Sequence, residues 1–275
     1  MTTPTLSIII LTWNTADITC SCLSSIVKHL KNIVYEIIVV DNNSTDNSVL
    51  KIKSLIHSLK IENCKLKINP QNLGFARGNN AALKHAKGKY LLFLNSDMEI
   101  LDSSIADMLK FFIKNKDIGA IGPAFLNPDL SPQGSVFPPQ TIKNAFLEFW
   151  LGKAAYSKFV PQSRSPQPAW SISGGAILIS KKLFRQIGGW DEKYFFFFED
   201  LELCRQIWAR DFQVYFYPKC SVIHRHGVSG KNLAPSVTQW RRLIPGSIKY
   251  HGLFYHSLLN LVIWSGQKWQ KLKSF

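Results

Sequence analysis

The sequence predicts an α/β fold, with an open, mostly parallel central sheet flanked by helices. Three observations lead there. Over residues 1–121, short apolar runs alternate with apolar stripes of helical period, the pattern of strands joined by helical crossovers. Three of these runs stop abruptly at a polar loop: Thr12-Trp13-Asn14, Asp41-Asn42-Asn43 and Asn95-Ser96-Asp97. Open α/β sheets bind ligands at such places, outside the carboxyl ends of their strands. Finally, 275 residues, 46% hydrophobic and only 19% charged, suffice for a large core and exclude a disordered chain.

Residues 6–11 read as a buried strand, and 17–30 as a helix with Ile18, Cys22, Leu23, Ile26, Val27 and Leu30 on one face. A strand over 36–40 ends at Asp41-Asn42-Asn43-Ser44, which suits a turn or a helix cap. The stripe from Val49 to Leu59 gives the next helix. Strands over 65–68 and 90–94 enclose a small-residue helix over 76–86, and a helix over 105–113 precedes a strand over 118–121. The proline-rich stretch 123–168 breaks this rhythm and is expected to be an irregular excursion bordering a substrate site. Regular structure resumes with a strand over 176–180, helices over 181–187 and 201–210, and strands over 214–217 and 221–224.

The charge is uneven. Residues 1–140 carry 14 Lys and Arg against 11 Asp and Glu, whereas residues 141–275 carry 19 against 7, and Asp211 is the last carboxylate side chain. A basic second half points to an anionic partner: nucleic acid, phospholipid or a phosphorylated substrate. The five cysteines are odd in number and lack CxxC spacing, which argues against a disulfide framework or a zinc site. The opening Met-Thr-Thr-Pro-Thr has no basic segment, and no apolar stretch approaches the ~20 residues of a membrane span. A cytoplasmic location is therefore expected.

Familiar signatures are absent: there is no GxGxxG after the first strand, no GxxxxGK[ST], no GxSxG, no HExxH and no RNA-binding aromatic motif. What remains is a sheet whose strand ends carry aspartates. A carboxylate at Asp41 can accept from a base N–H or a ribose hydroxyl, or cap a turn. Asn95-Ser96-Asp97 offers oxygen ligands of the kind that hold Mg²⁺ or Mn²⁺ against phosphates. Asp102 is the alternative cap for the helix that follows. Four phenylalanines, 195–198, precede Glu199 and Asp200; burial beside them raises a carboxylate pKa toward that of a useful base. His224 at a strand end suits a metal ligand or a structural histidine, and Arg225 or Ser229 could meet phosphate.

Together these segments resemble the inverting family 2 glycosyltransferases of GT-A fold, a Rossmann-like sheet, and within them the rhamnosyltransferase-like branch. The resemblance runs from Leu6 to about Ser229. Its carriers are SIIILTWN at 7–14, IVVDNNSTD at 38–46, NLGFA at 72–76, NSD at 95–97, GGWDE at 188–192, FEDLELCR at 198–205 and VIH at 222–224. It implies a nucleotide-sugar donor bound by Thr12, Asn14, Asp41, Asn43, Asn72, Gly74, Arg77, Asn95 and Ser96. It further implies a divalent cation, Mn²⁺ or Mg²⁺, held by Asp97 and His224. Asp200 becomes the base that deprotonates the acceptor hydroxyl, with Glu199 orienting acceptor or donor sugar. Trp170, Gly174, Gly175 and Trp190 fall where the family shapes its acceptor site. The sequence departs from the family at Asn95, where the metal motif usually begins with aspartate.

The implied activity is a metal-dependent hexosyltransferase of bacterial surface polysaccharide synthesis. It would use dTDP-rhamnose or a UDP-sugar, and a glycan or polyprenyl-diphosphate-linked acceptor. The domain division is 1–230 for the GT-A unit, with a nucleotide-sugar-binding half (1–123) and an acceptor and catalytic half (124–230). A basic, partly apolar helical tail occupies 231–275. The run 253–264, flanked by Arg241, Arg242, Lys249, Lys268, Lys271 and Lys273, suits an interfacial helix. It would dock the enzyme on the inner face of the cytoplasmic membrane; the alternative is a helical pair closing the core. Asn95 motivates a second function, a catalytically inactive nucleotide- or glycan-binding relative. Nucleic-acid binding has only the net charge of +15 behind it, with no readout motif, and is not expected.

Overall fold

The computed structural model describes residues 3–31, 33–225 and 243–273. Ser229, Arg241 and Arg242 lie outside them. The first half runs β1 (Leu6–Thr12), α1 (Ala16–His29), β2 (Tyr35–Asp41), α2 (Ser48–Ser58), β3 (Cys64–Ile68), α3 (Gly74–Ala81), β4 (Tyr90–Leu94), β5 (Met98–Ile100), α4 (Ser104–Lys114) and β6 (Ile118–Leu126). The stretch 123–168 is less irregular than expected. Beyond the end of β6 it holds β7 (Pro132–Gln133), β8 (Val136–Phe137), α5 (Ile142–Phe149) and β9 (Gln167–Pro168). Helix α5 starts where the Thr141 hydroxyl accepts the Asn144 N–H at 3.1 Å. There follow β10 (Ser171–Ile172), β11 (Ala176–Ser180), α6 (Lys181–Ile187), α7 (Glu199–Trp208), β12 (Gln213–His224), α8 (Leu243–His251) and α9 (Leu253–Lys273).

The main sheet has the order β3-β2-β1-β4-β11-β6-β12-β5. Strands β1 to β4 are mutually parallel, as are β6 and β12. Strand β11 runs antiparallel between β4 and β6, and β5 antiparallel along β12. Strand alternation divides the core between the two faces. Ile8 and Ile10 pack with Leu23, Ile26 and Met108 on the side of α1 and α4; Ile9 packs with Phe75, Phe93 and Trp190 on the other. Burying each such aliphatic side chain contributes about 1.5–3 kcal/mol, so the strands expected to be buried on both faces carry the fold.

Several expected boundaries shift. Helix α3 stops at Ala81 rather than residue 86, where the backbone tightens into i→i+3 bonds from Ala82 to Asn79 and from Leu83 to Asn80, and the Asn80 side chain bonds the backbone of Trp190 at 2.9 and 3.0 Å. The two strands expected over 214–217 and 221–224 are one, β12, whose register against β6 shifts between Tyr217 and Ser221. Pro218, which has no N–H to give the ladder, sits at that irregularity. Helix α7 begins at Glu199, two residues early. Among the described residues no helix is long and apolar enough to cross a membrane, and all five cysteines are free.

Candidate active site

The sheet order assembles the site. Ends of β1, β2 and β4 lie side by side, with Thr12 opposite Asp41 in register. A cleft at this edge is lined by Leu11, Thr12, Trp13, Asn42, Asn72, Gly74, Phe75, Asn95, Ser96, Phe195 and Phe196. The Thr12 hydroxyl belongs to a buried cluster with Thr15 and Thr19 at 3.0 and 2.8 Å, and Thr15 reaches Ser96 at 3.3 Å. Asp41 is fully buried: Oδ1 accepts the Ser44 N–H at 2.9 Å, while Oδ2 has no hydrogen-bond partner among the described residues. A buried acceptor without a donor is costly, so it invites a donor from a ligand.

Asn42, passed over in the sequence, organises the floor of this cleft. Its amide donates to Asn72 Oδ1 at 3.2 Å and to the Gly74 carbonyl at 3.0 Å, and its oxygen accepts from Asn69 at 2.9 Å. Gly74 is required at its position. Its φ is +77°, and a Cβ there would meet the Phe195 carbonyl oxygen at 2.6 Å. The Phe75 N–H donates to that same carbonyl at 2.8 Å, fastening the phenylalanine loop over the cleft. Asn14, Asn43 and Arg77 fall outside the lining. Asn14 Oδ1 accepts the Thr45 N–H at 2.8 Å, Asn43 is exposed, and Arg77 pairs with Glu192 at 3.3 Å.

Antiparallel pairing of β12 with β5 sets His224 opposite Met98, hence beside Asp97. Both are buried, with His224 Nε2 3.7 Å from Asp97 Oδ1. The neighbouring network assigns the tautomer. Gln133 Nε2 donates to Asn127 Oδ1 at 2.7 Å and to the His224 carbonyl at 3.2 Å, so Gln133 Oε1 accepts from His224 Nδ1 at 2.6 Å. Nε2 is left facing Asp97, and a neutral imidazole held in this way would offer that nitrogen to a metal ion. Among the described residues no three His, Cys, Asp or Glu side chains cluster to hold a metal alone. One carboxylate and one imidazole fit a divalent ion that takes its remaining ligands from a diphosphate and water.

The insertion of β11 beside β4 brings Asp200 to the same loop. The Asn95 N–H donates to the Gly175 carbonyl at 2.8 Å, and the next glycine back, Gly174, donates its N–H to Asp200 Oδ2 at 3.0 Å. The second Asp200 oxygen accepts the Leu201 N–H at 2.9 Å. Burial pushes the Asp200 carboxyl above its ordinary range; the two N–H groups and the ammonium of Lys158 draw it back. For Glu199, burial and the adjacent Asp200 charge both push upward, well above the usual value. Its Oε2 is buried without a partner. Both carboxyls are thus held above their ordinary range by burial, Glu199 further by the Asp200 charge, at a helix N-terminus that favours negative charge.

Two features here were invisible in the sequence. Lys158, half-buried with Nζ 5.8 Å from the centre of the Phe137 ring, has its pKa lowered by burial and raised by Asp200. Phe197 and Phe198, at φ of 71° and 70°, are consecutive left-handed residues just before the carboxylate pair, a strain of order 1–3 kcal/mol each. The Phe198 ring is braced by Tyr250 and His251 of α8, at 5.6 and 6.1 Å. Of the other acceptor-side residues, Trp170 is partly exposed and stacks on Trp208 with ring centroids 6.2 Å apart. Trp190 is only 1% exposed and packs edge-on against Phe75 and Phe93, so it belongs to the core behind the site and does not line an acceptor surface.

Comparison with known proteins places this geometry. The model of glycosyl transferase family 2 matches residues 7–188, and that of the N-terminal domain of galactosyltransferase matches 154–227. An O-antigen biosynthesis protein, RfbC, of Myxococcus xanthus is 25% identical over 240 residues, 86% of this chain and 19% of its own length. An N-acetylglucosaminyl-diphospho-decaprenol L-rhamnosyltransferase of Mycobacterium tuberculosis is 26% identical over 210 residues, 68% of this chain and 66% of its own. The chain thus spans about a fifth of the first relative and just under two thirds of the second. Among solved structures, GalNAc-T7 with UDP, GalNAc and Mn²⁺ superposes with a TM-score of 0.67 at 18% identity, over 80% of this chain and 44% of that one. The mannosyltransferase PcManGT of Pyrobaculum calidifontis, with GDP-Man and Mn²⁺, gives 0.62 at 16%, over 91% and 65%. These likenesses show the GT-A fold. With the family model covering residues 7–188, the chain belongs to glycosyl transferase family 2.

Proposed function

We propose that the protein transfers a sugar, with inversion, from a nucleotide-diphosphate donor to a hydroxyl of a lipid-linked or glycan acceptor in bacterial surface polysaccharide assembly. dTDP-rhamnose leads among the donors, followed by a UDP-sugar, because relatives are named as a decaprenol-diphosphate rhamnosyltransferase and a dTDP-rhamnosyl transferase. One observation carries the reading. The Gly174-Gly175 step ties the buried carboxylate Asp200 to the Asn95–Asp97 loop by two hydrogen bonds, so a base and a metal-type pair flank one cleft.

Each residue then has a task. Asp41 accepts from the base or ribose of the donor, and Asn42 holds the loop on which Asn72 and Gly74 contact it. Asp97 and His224 would hold a divalent cation, Mn²⁺ or Mg²⁺, which neutralises charge on the departing diphosphate. Asp200 takes the proton from the acceptor hydroxyl as its oxygen attacks the anomeric carbon. Glu199 orients the acceptor or the donor sugar. Lys158 stabilises the ionised base from the acceptor side. Alignment of attacking oxygen, anomeric carbon and leaving group supplies much of the rate.

A thermal-shift panel of dTDP, UDP and GDP, with and without Mn²⁺, tests the donor site. Ligand at ~100 times its dissociation constant adds about 2.7 kcal/mol, several degrees of Tm. A metal-enhanced shift with one nucleotide is expected; a cooperative melt that no nucleotide moves overturns the reading. Lys158→Met supplies an independent check on the base. Removing the ammonium raises the Asp200 pKa further, so more base is protonated at a given acid pH. The acid limb of the kcat/KM profile is expected to move upward by up to about one pH unit, with the alkaline plateau retained. An unmoved acid limb would show that Asp200 does not sense Lys158.

A further inference from the structure

Helix α9 has two apolar faces, and among the described residues only one of them is covered. The inner face packs on α5. Trp150 Nε1 donates to the Val262 carbonyl at 3.1 Å, the Trp150 and Trp269 rings stack at 6.0 Å, and the Ile142 N–H donates to the Tyr255 hydroxyl at 3.0 Å. On another side Phe254, Leu258, Leu261 and Trp264 follow one another at helical spacings, and the same line continues through Lys268 to Leu272. Phe254 is 84% exposed, Leu261 57%, Trp264 55% and Leu272 70%. The helix spans 21 residues, about 32 Å, without being apolar enough to cross a bilayer.

We infer that this outward face of α9 lies in the surface of an anionic lipid bilayer. Charge selects that occupant. Asp211 is the last carboxylate side chain, and nine Lys and Arg follow it. Lys268 Nζ sits 4.6 Å from the Trp264 ring centre, in line with the outward stripe, and Lys273 Nζ 5.0 Å from the ring centre of Trp269, so ammonium groups lie along the C-terminal half of the helix. That is the composition of a helix lying in a headgroup layer, with apolar side chains and tryptophans inward and lysines toward phosphate. A second copy of the same face would bring no carboxylate to meet these lysines, since α9 contains none.

The placement also orients the site. Helix α5, which carries α9, uses Glu148 to accept the N–H groups of Ala155, Tyr156 and Ser157 at 2.9, 2.7 and 3.0 Å. The next residue is Lys158, the cation beside Asp200. The bilayer-facing helix is therefore joined through α5 to the acceptor side of the catalytic pair. The inference rests on the proposed lipid-linked acceptor for its biological sense, and on the α9 surface alone for its physics.

The test is flotation of the whole protein with vesicles of phosphatidylcholine, alone or mixed equally with phosphatidylglycerol, in low and high salt. Phe254→Ser/Leu261→Ser/Trp264→Ser alters only exposed side chains, and Lys268→Glu/Lys271→Glu reverses the flanking charge. Wild type is expected to float with the anionic vesicles, less so in high salt. Each variant is expected to lose about tenfold or more of that binding, with an unchanged melt and unchanged nucleotide binding in the absence of vesicles. Equal flotation of the apolar-face variant overturns the inference. So does a wild-type dimer that this variant converts to monomer, which would assign the face to a second copy. A wild type that floats but binds no nucleotide would instead refute the transferase reading and leave the docking face standing.

Discussion

Replacing Asp200 by Asn is expected to lower kcat by roughly 10²- to 10⁴-fold, the range that a positioned general base contributes, while leaving nucleotide affinity within about twofold. The amide keeps the shape of the carboxylate, and its one oxygen can still accept the Gly174 N–H that Asp200 accepts at 3.0 Å, giving up the bond from the Leu201 N–H, so the glycine step stays in place. What disappears is the proton acceptor. Relief of the buried charge, which also pushes on Glu199, opposes the loss of that one bond in Tm. Steady-state kinetics beside isothermal titration with the nucleotide separates these effects. A variant that loses nucleotide binding along with turnover would mark Asp200 as a structural residue, and one that keeps turnover would remove it from the mechanism.

Asp97→Asn should abolish the dependence of nucleotide binding on Mn²⁺. Asp97 supplies the one carboxylate in a pair whose other member is the His224 imidazole, its Nδ1 2.6 Å from Gln133 Oε1. Asn95, at the start of the same loop, brings no charge to replace it. The loss in metal affinity should be at least the roughly 10- to 100-fold that removal of an outer-shell partner costs. Titrating nucleotide at several Mn²⁺ concentrations measures it. The variant's apparent Kd is expected to be flat in metal, whereas that of the wild type falls as metal rises. A variant that still responds to Mn²⁺ like the wild type would take Asp97 out of the metal site.

Much of this site was legible because its first half is local. Apolar runs ending in Thr12, Asp41 and Asn95-Ser96-Asp97 announce strands whose ends share one edge, and parallel register then brings them together. Glu199 and Asp200 were legible for the same reason: two carboxylates beside four phenylalanines are anomalous in any context. Gln133 and Lys158 were not legible. One arrives through the short strand β7 and the other through a bridge of Phe159 to Val136, and neither pairing leaves a local pattern. Antiparallel β11, which delivers Gly174 to Asp200, reads as an ordinary apolar strand whose direction only the sheet reveals. Trp190 shows the converse error. Its place in the Gly-Gly-Trp-Asp-Glu motif suggested contact with substrate, yet Gly188 ends α6 in the left-handed conformation and the indole plugs the core behind it. The stripe over 253–264 suited either a membrane surface or a core-closing pair, and α9 has an apolar face for each.

The most direct test follows nucleotide diphosphate release by wild type and by Asp200→Asn. It uses the donor sugar of the nucleotide that shifts the melt, with Mn²⁺ and a bacterial lipid extract as acceptor source. Wild type is expected to release the nucleotide only when the extract is present, and the variant to bind the same nucleotide yet release almost none. Equal release by the two proteins, or a wild type that binds the donor and never turns it over with any acceptor, would contradict transfer by Asp200 at this cleft.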